Sequence, residues 1–120
     1  MGLYKYYYRP GYGSNELLIE IFSGGEHPNF VEDFLTAIAP LEPHIIKTED
    51  VWVNDEILME ISTLAGNFTL SKDIWDWVFI MGDNNQECLS QINTLLLANK
   101  NFEKLEVDFK KYIPHQPGNT

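Results

Sequence analysis

Basic residues and cysteine are what this chain has least of. Eight Lys and Arg stand against 18 Asp and Glu in 120 residues, for a formal charge of −10. A phosphate backbone and an anionic membrane surface both reward Lys and Arg, so this balance argues against nucleic-acid binding and against attachment to an anionic bilayer. A single cysteine, Cys88, rules out an intramolecular disulfide framework and suits a reducing compartment. No apolar run approaches the ~20 residues that span a bilayer. The opening MGLYKYYYRPGYG has neither the apolar stretch nor the small-residue cleavage site of a signal peptide, and Tyr6 breaks the myristoylation pattern. The expected address is the cytosol.

Catalytic and cofactor signatures are equally scarce. His27, His44 and His115 share no metal-ligand spacing. Cys88 falls on the apolar stripe of an expected helix, where a thiol is buried and inert rather than nucleophilic. Gly11-Tyr12-Gly13 and Gly24-Gly25 match neither a P-loop nor a dinucleotide fingerprint and serve as turns. Residues 83–87 have the composition of a calcium loop without its central glycine or its spacing. Adjacent carboxylates such as Glu32-Asp33 could be cast as acid and base, but with 18 acids present that pattern selects nothing. The reading is therefore of a non-enzymatic protein with no cofactor, no metal and no catalytic residues.

What is present is enough apolar material for a core: 44% of residues are apolar and 13% aromatic. The length fits a single domain, residues 1–113, followed by a flexible tail, 114–120, rich in proline and polar residues. Strands are expected at Leu3–Tyr8 and Glu16–Phe22, joined as a hairpin across the Gly-rich segment 10–15. Phe30, Phe34 and Ile38 recur at helical spacing, with Pro28 ahead of them and Pro40 and Pro43 ending the run. A short extended piece follows near 44–47 or 51–53. Strands are then expected at 57–62, 68–70 and 74–80. Cys88, Leu89, Ile92, Leu95 and Leu96 form a second helical stripe, with Asp83 as its N-cap. Leu105, Val107 and Phe109 alternate with polar residues as a last strand. The order β-β-α-β-β-β-α-β gives an α+β fold, with two helices on one face of a mostly antiparallel sheet. A split β-α-β or ferredoxin-like arrangement with additions fits that order.

The charge is concentrated. Residues 49–87 hold nine acids against Lys72 alone, which is −8 of the total −10, and they contain all three tryptophans, Trp52, Trp75 and Trp77. Clustered carboxylates repel one another, but their field speeds encounter with a positive partner. Tryptophan is the residue type most enriched at the energetic centres of interfaces. Were 74–80 one strand, Trp75, Trp77 and Phe79 would share a face opposite Ile74, Asp76, Val78 and Ile80.

This acidic, Trp-bearing stretch from Glu49 to Glu87 resembles small bacterial immunity proteins, which neutralise toxin domains of bacteriocin, contact-dependent inhibition or polymorphic toxin systems. So do Trp77-Val78-Phe79-Ile80, the Ile92-Asn93-Thr94-Leu95-Leu96 helix and the strand from Phe102 to Phe109. The resemblance implies a bacterial, cytoplasmic α+β protein that binds a basic partner, a toxin domain and most often a nuclease, by stoichiometric occlusion. Glu49, Asp50, Asp55, Glu56, Asp73 and Asp76 would engage the partner's Lys and Arg. Whichever of Trp52, Trp75 and Trp77 is exposed would supply the anchor. The competing reading is an adaptor or small-ligand module using the tyrosine-rich strand with Tyr4, Tyr6, Tyr7, Tyr8 and Tyr12 as a stacking platform.

Overall fold

In the computed structural model, residues 3–11, 16–51, 56–82 and 85–108 are described. The elements run β1 (Tyr4–Pro10), β2 (Leu17–Ser23), α1 (Phe30–Ala37), a 3-10 turn (Ala39–Leu41), β3 (His44–Val51), β4 (Glu56–Thr63), β5 (Gly66–Lys72), β6 (Val78–Met81), α2 (Gln86–Leu97) and β7 (Phe102–Lys104). The strands form one seven-stranded sheet in the order β3-β4-β5-β6-β2-β1-β7. All neighbours are antiparallel except β1 and β7, which are parallel.

The helical connections explain that order. Counting alternations across the sheet makes β2 parallel to β3, and β6 parallel to β7. Each helix therefore makes a crossover between parallel strands: α1 spans β6, β5 and β4, and α2 spans β2 and β1. β2 and β6 are antiparallel neighbours. Two crossovers of the same hand that start from antiparallel neighbours, with both helices on one face, must run to opposite edges. This lets both follow the favoured right-handed path. Split β-α-β units are thus present, but with two and three strands inserted rather than in a ferredoxin-like order.

One face of the sheet carries the core. Tyr4, Tyr6, Ile19, Ile21, Ile61, Phe68, Leu70, Val78, Ile80 and Phe102 point to the helices and meet Phe30, Phe34, Ile38, Leu89, Ile92 and Leu96. The period-2 spacing of the first set and the 3–4 spacing of the second are what put each on a single face. Cys88 is buried among them, and burial pushes its thiol pKa up. The helix-free face is anchored by an Arg9–Glu20 ion pair of 2.7 Å, with Tyr7 stacked on Phe22 at 4.3 Å.

Several expectations shift. The piece near 44–47 is an eight-residue strand, so the sheet has seven strands rather than six. The expected strand 105–109 is replaced by β7 at Phe102–Lys104, because Phe102 is drawn into the core beside Tyr4 with ring centroids 4.9 Å apart. Residues 105–108 follow without regular structure. The expected strand 74–80 begins only at Val78, because residues 73–77 turn. Asn85 takes the N-cap position of α2, whereas Asp83, Tyr12, Phe109 and the tail 114–120 lie outside the described residues.

Candidate partner-binding surface

The turn between β5 and β6 presents the two described tryptophans. Asp73 organises it: its Oδ1 accepts hydrogen bonds from the backbone N–H of Trp75 at 2.9 Å and of Trp77 at 3.1 Å. The Asp73 N–H donates to the Trp77 carbonyl at 3.1 Å, and the Asp76 N–H to the Asp73 carbonyl at 3.0 Å. Asp76 closes the turn in the left-handed region, at φ 62°, a conformation Asp tolerates better than most residues. The turn rests on Gly25, where a Cβ would lie 2.1 Å from the Asp76 carbonyl oxygen, so only glycine allows this approach.

So fixed, the turn leaves its apolar side chains in solvent. Trp75 is 76% exposed, Ile74 58% and Trp77 47%. Ile57 of β4 is exposed nearby. A hollow of about 330 Å³ is lined by Asp50, Glu56, Ile57, Lys72, Asp73, Ile74 and Asp76. Sheet register builds it: Asp50 lies opposite Ile57, Ile57 opposite Lys72 and Lys72 opposite Val78, in one row across four strands. Lys72 is paired with Asp76 at 3.3 Å, and Glu56 accepts a hydrogen bond from the Ser71 hydroxyl. The carboxylates of Asp50, Asp73 and Asp76 against one ammonium leave an excess of negative charge over an apolar floor of two isoleucines, while Glu56 turns its carboxylate to Ser71 on the other face.

Of the nine residues expected to act, Asp50, Asp73 and Asp76 therefore converge, and Glu56 borders the same hollow with its carboxylate on Ser71. Trp75 and Trp77 stand on the same turn, with neither in a strand face nor aligned with Phe79. Glu49 does not join them. Successive strand residues point to opposite faces, and Glu49 shares a separate hollow of about 170 Å³ with Lys47, Leu58, Glu60 and Thr69. Trp52 and Asp55 lie outside the described residues.

Sequence reasoning missed Ile57 and Ile74 because it assigned them to strand faces. The readable signal was Asp73 itself. An Asp that bonds the backbone N–H two residues on makes a turn, and a turn exposes what a strand would bury.

The competing tyrosine platform is largely internal. Tyr4 and Tyr6 are fully buried, with hydroxyls donating to Asp33 Oδ2 at 2.5 Å and to Asn93 Oδ1 at 2.9 Å. Tyr8 packs partly against the core and Tyr7 covers Phe22.

No family model, curated protein or solved structure matches this chain. Among the described residues no helix is long and apolar enough to cross a membrane.

Proposed function

We propose that this chain is a protein-interaction module that captures a basic partner at the β5–β6 turn, acting as an immunity protein that neutralises a toxin domain by stoichiometric occlusion. The observation that carries the reading is Trp75: a tryptophan three-quarters exposed, on a turn held by hydrogen bonds, next to a hollow bordered by Asp50, Asp73 and Asp76. A monomer gains nothing in its own core from leaving that ring in water. A partner that covers it gains a large apolar contact already in place, with little ordering cost. Asp50, Glu56, Asp73 and Asp76 steer Lys- and Arg-bearing surfaces toward it. A nuclease site built for phosphate carries such a surface, and occupying it would block the substrate.

The experiment pairs recovery with inhibition. The tagged chain is used to recover a basic protein from its source cells, and the purified partner is assayed for nuclease or other toxic activity with and without added chain. The expected result is inhibition that saturates at one-to-one. D50K combined with D76K should slow association about tenfold or more and flatten its salt dependence. W75A should act mainly on dissociation, by about thirtyfold. Unchanged association by the folded double variant would remove the patch from the interface; a partner that keeps its full activity when bound would overturn the inhibitor reading.

A further inference from the structure

β3 is the last strand of the sheet, and among the described residues it pairs with β4 alone. Every residue from His44 to Asp50 is exposed, including Ile45 and Ile46. An edge of this length presents a row of backbone donors and acceptors ready to pair with another strand. The question is which strand fits.

The side chains answer it. Lys47 and Glu49 flank Thr48 and form an ion pair of 2.5 Å, on the side of the sheet that the helices leave open. The two signs stand at equal distances on either side of one uncharged residue. That pattern is complementary to itself when reversed. From it we propose that β3 pairs antiparallel with β3 of a second copy of this chain, on a two-fold axis at Thr48, joining two sheets into one.

The charges choose among the registers centred on Ile46 to Asp50, the exposed middle of the strand. A two-fold axis that sets two edge strands antiparallel in one sheet is normal to that sheet, so residues of the same face oppose one another and both helical layers stay on one side. With the axis at Lys47, the lysine faces its own copy. With the axis at Glu49 or Asp50, a carboxylate does the same. Directly opposed like charges destabilise a strand pair and opposite charges stabilise it. At Ile46 a bulge between Ile45 and Lys47 interrupts the ladder. Only at Thr48 does each Lys47 meet Glu49 of the second copy, twice over, with threonine against threonine between them. Exposed ion pairs add little affinity, so they select the register while backbone hydrogen bonds provide most of the contact; Ile45 meets Val51 of the second copy, and Ile46 meets its Asp50. The charge of −10 on each chain opposes association and keeps the dimer weak. Asp50 belongs both to this strand and to the hollow beside the β5–β6 turn, so the two surfaces meet there; self-association is nevertheless read on the chain alone, without the partner proposed for that turn.

Sedimentation equilibrium of the full chain, up to about 1 mM protein at physiological salt, tests the association. Wild type should show a concentration-dependent dimer. K47E and E49K should each weaken it by about tenfold or more, and K47E combined with E49K should restore it. Register is read by cross-linking. K47C mixed with E49C should form a disulfide dimer faster than either variant alone, and T48C should cross-link to itself, while the native Cys88 is buried. A chain that stays monomeric throughout overturns the proposal. So does a dimer indifferent to both single charge reversals, which would be built on another face, or a K47C and E49C mixture no faster than K47C alone.

Discussion

β1 and β3 are strands of similar length in one sheet, and they end in opposite environments. β1 lies between β2 and β7 under the helices, and its Tyr4 and Tyr6 are wholly buried. β3 has one neighbour, and its Ile45 and Ile46 are 45% and 54% exposed. On intrinsic preference isoleucine belongs inside more than tyrosine does. What reverses the ranking is coverage. The apolar stripes of α1 and α2 reach β1, β2, β5, β6, β7 and the Ile61 end of β4, and where their cover stops, apolar strand residues stay in water. The same boundary leaves Ile57 and the 73–77 turn open at the far end of the sheet.

The largest test of that contrast is Tyr6→Ala. Removing a fully buried ring that also donates to Asn93 should cost about 3–5 kcal/mol in equilibrium denaturation. A loss below about 1 kcal/mol would mean that the β1 side of the core is not tightly packed.

A smaller effect should appear with alkali. Burial raises the pKa of both Tyr4 and Tyr6 well above the ordinary 10.0, and at Tyr4 the Asp33 carboxylate that accepts its hydroxyl adds to the rise. A raised folded-state value means the fold favours the neutral hydroxyl. The resulting stability is complete below the unfolded value and is lost as pH climbs past it toward the folded value. The melting temperature should therefore hold up to about pH 9 and fall beyond about pH 10. In Tyr4→Phe combined with Tyr6→Phe that fall should be shallower. An unchanged slope would show that other groups govern alkaline unfolding.

The smallest effect belongs to β3. Ile46→Ala, at a site half in solvent, should change monomer stability by no more than about 0.5 kcal/mol, measured at concentrations too low for association. A cost near that of Tyr6→Ala would mean that the exposed edge is part of the folded core, and the contrast between the two strands would fail.

Much of this was readable from residue spacing. The stripe of Phe30, Phe34 and Ile38, and that of Cys88, Leu89, Ile92 and Leu96, are all buried as their 3–4 periodicity requires. Ile19 and Ile21 face the core as alternation requires, and the first two strands pair as a hairpin. The acidic tryptophan stretch was legible as a concentration of charge but not as a surface. Asp50 and Glu49 are adjacent in sequence and serve different hollows, because a strand sends neighbours to opposite faces. Treating 74–80 as one strand hid the turn that exposes Trp75. Leu105 and Val107 alternate well enough for a strand, yet the shorter segment with Phe102 won the place beside β1, since a phenylalanine in the core outweighs local alternation.

The sequence by itself determined the α+β class, the two helical stripes, the first hairpin and the acidity of residues 49–87, because periodicity and charge are local properties of the chain. The tertiary structure alone decided the strand order, with its two crossovers to opposite edges, and which apolar residues the helices fail to cover. It also decided the meeting of Asp50 with Asp73 and Asp76. Those outcomes depend on pairings between distant segments and on how far a layer of two helices extends across seven strands, and no local pattern carries that information.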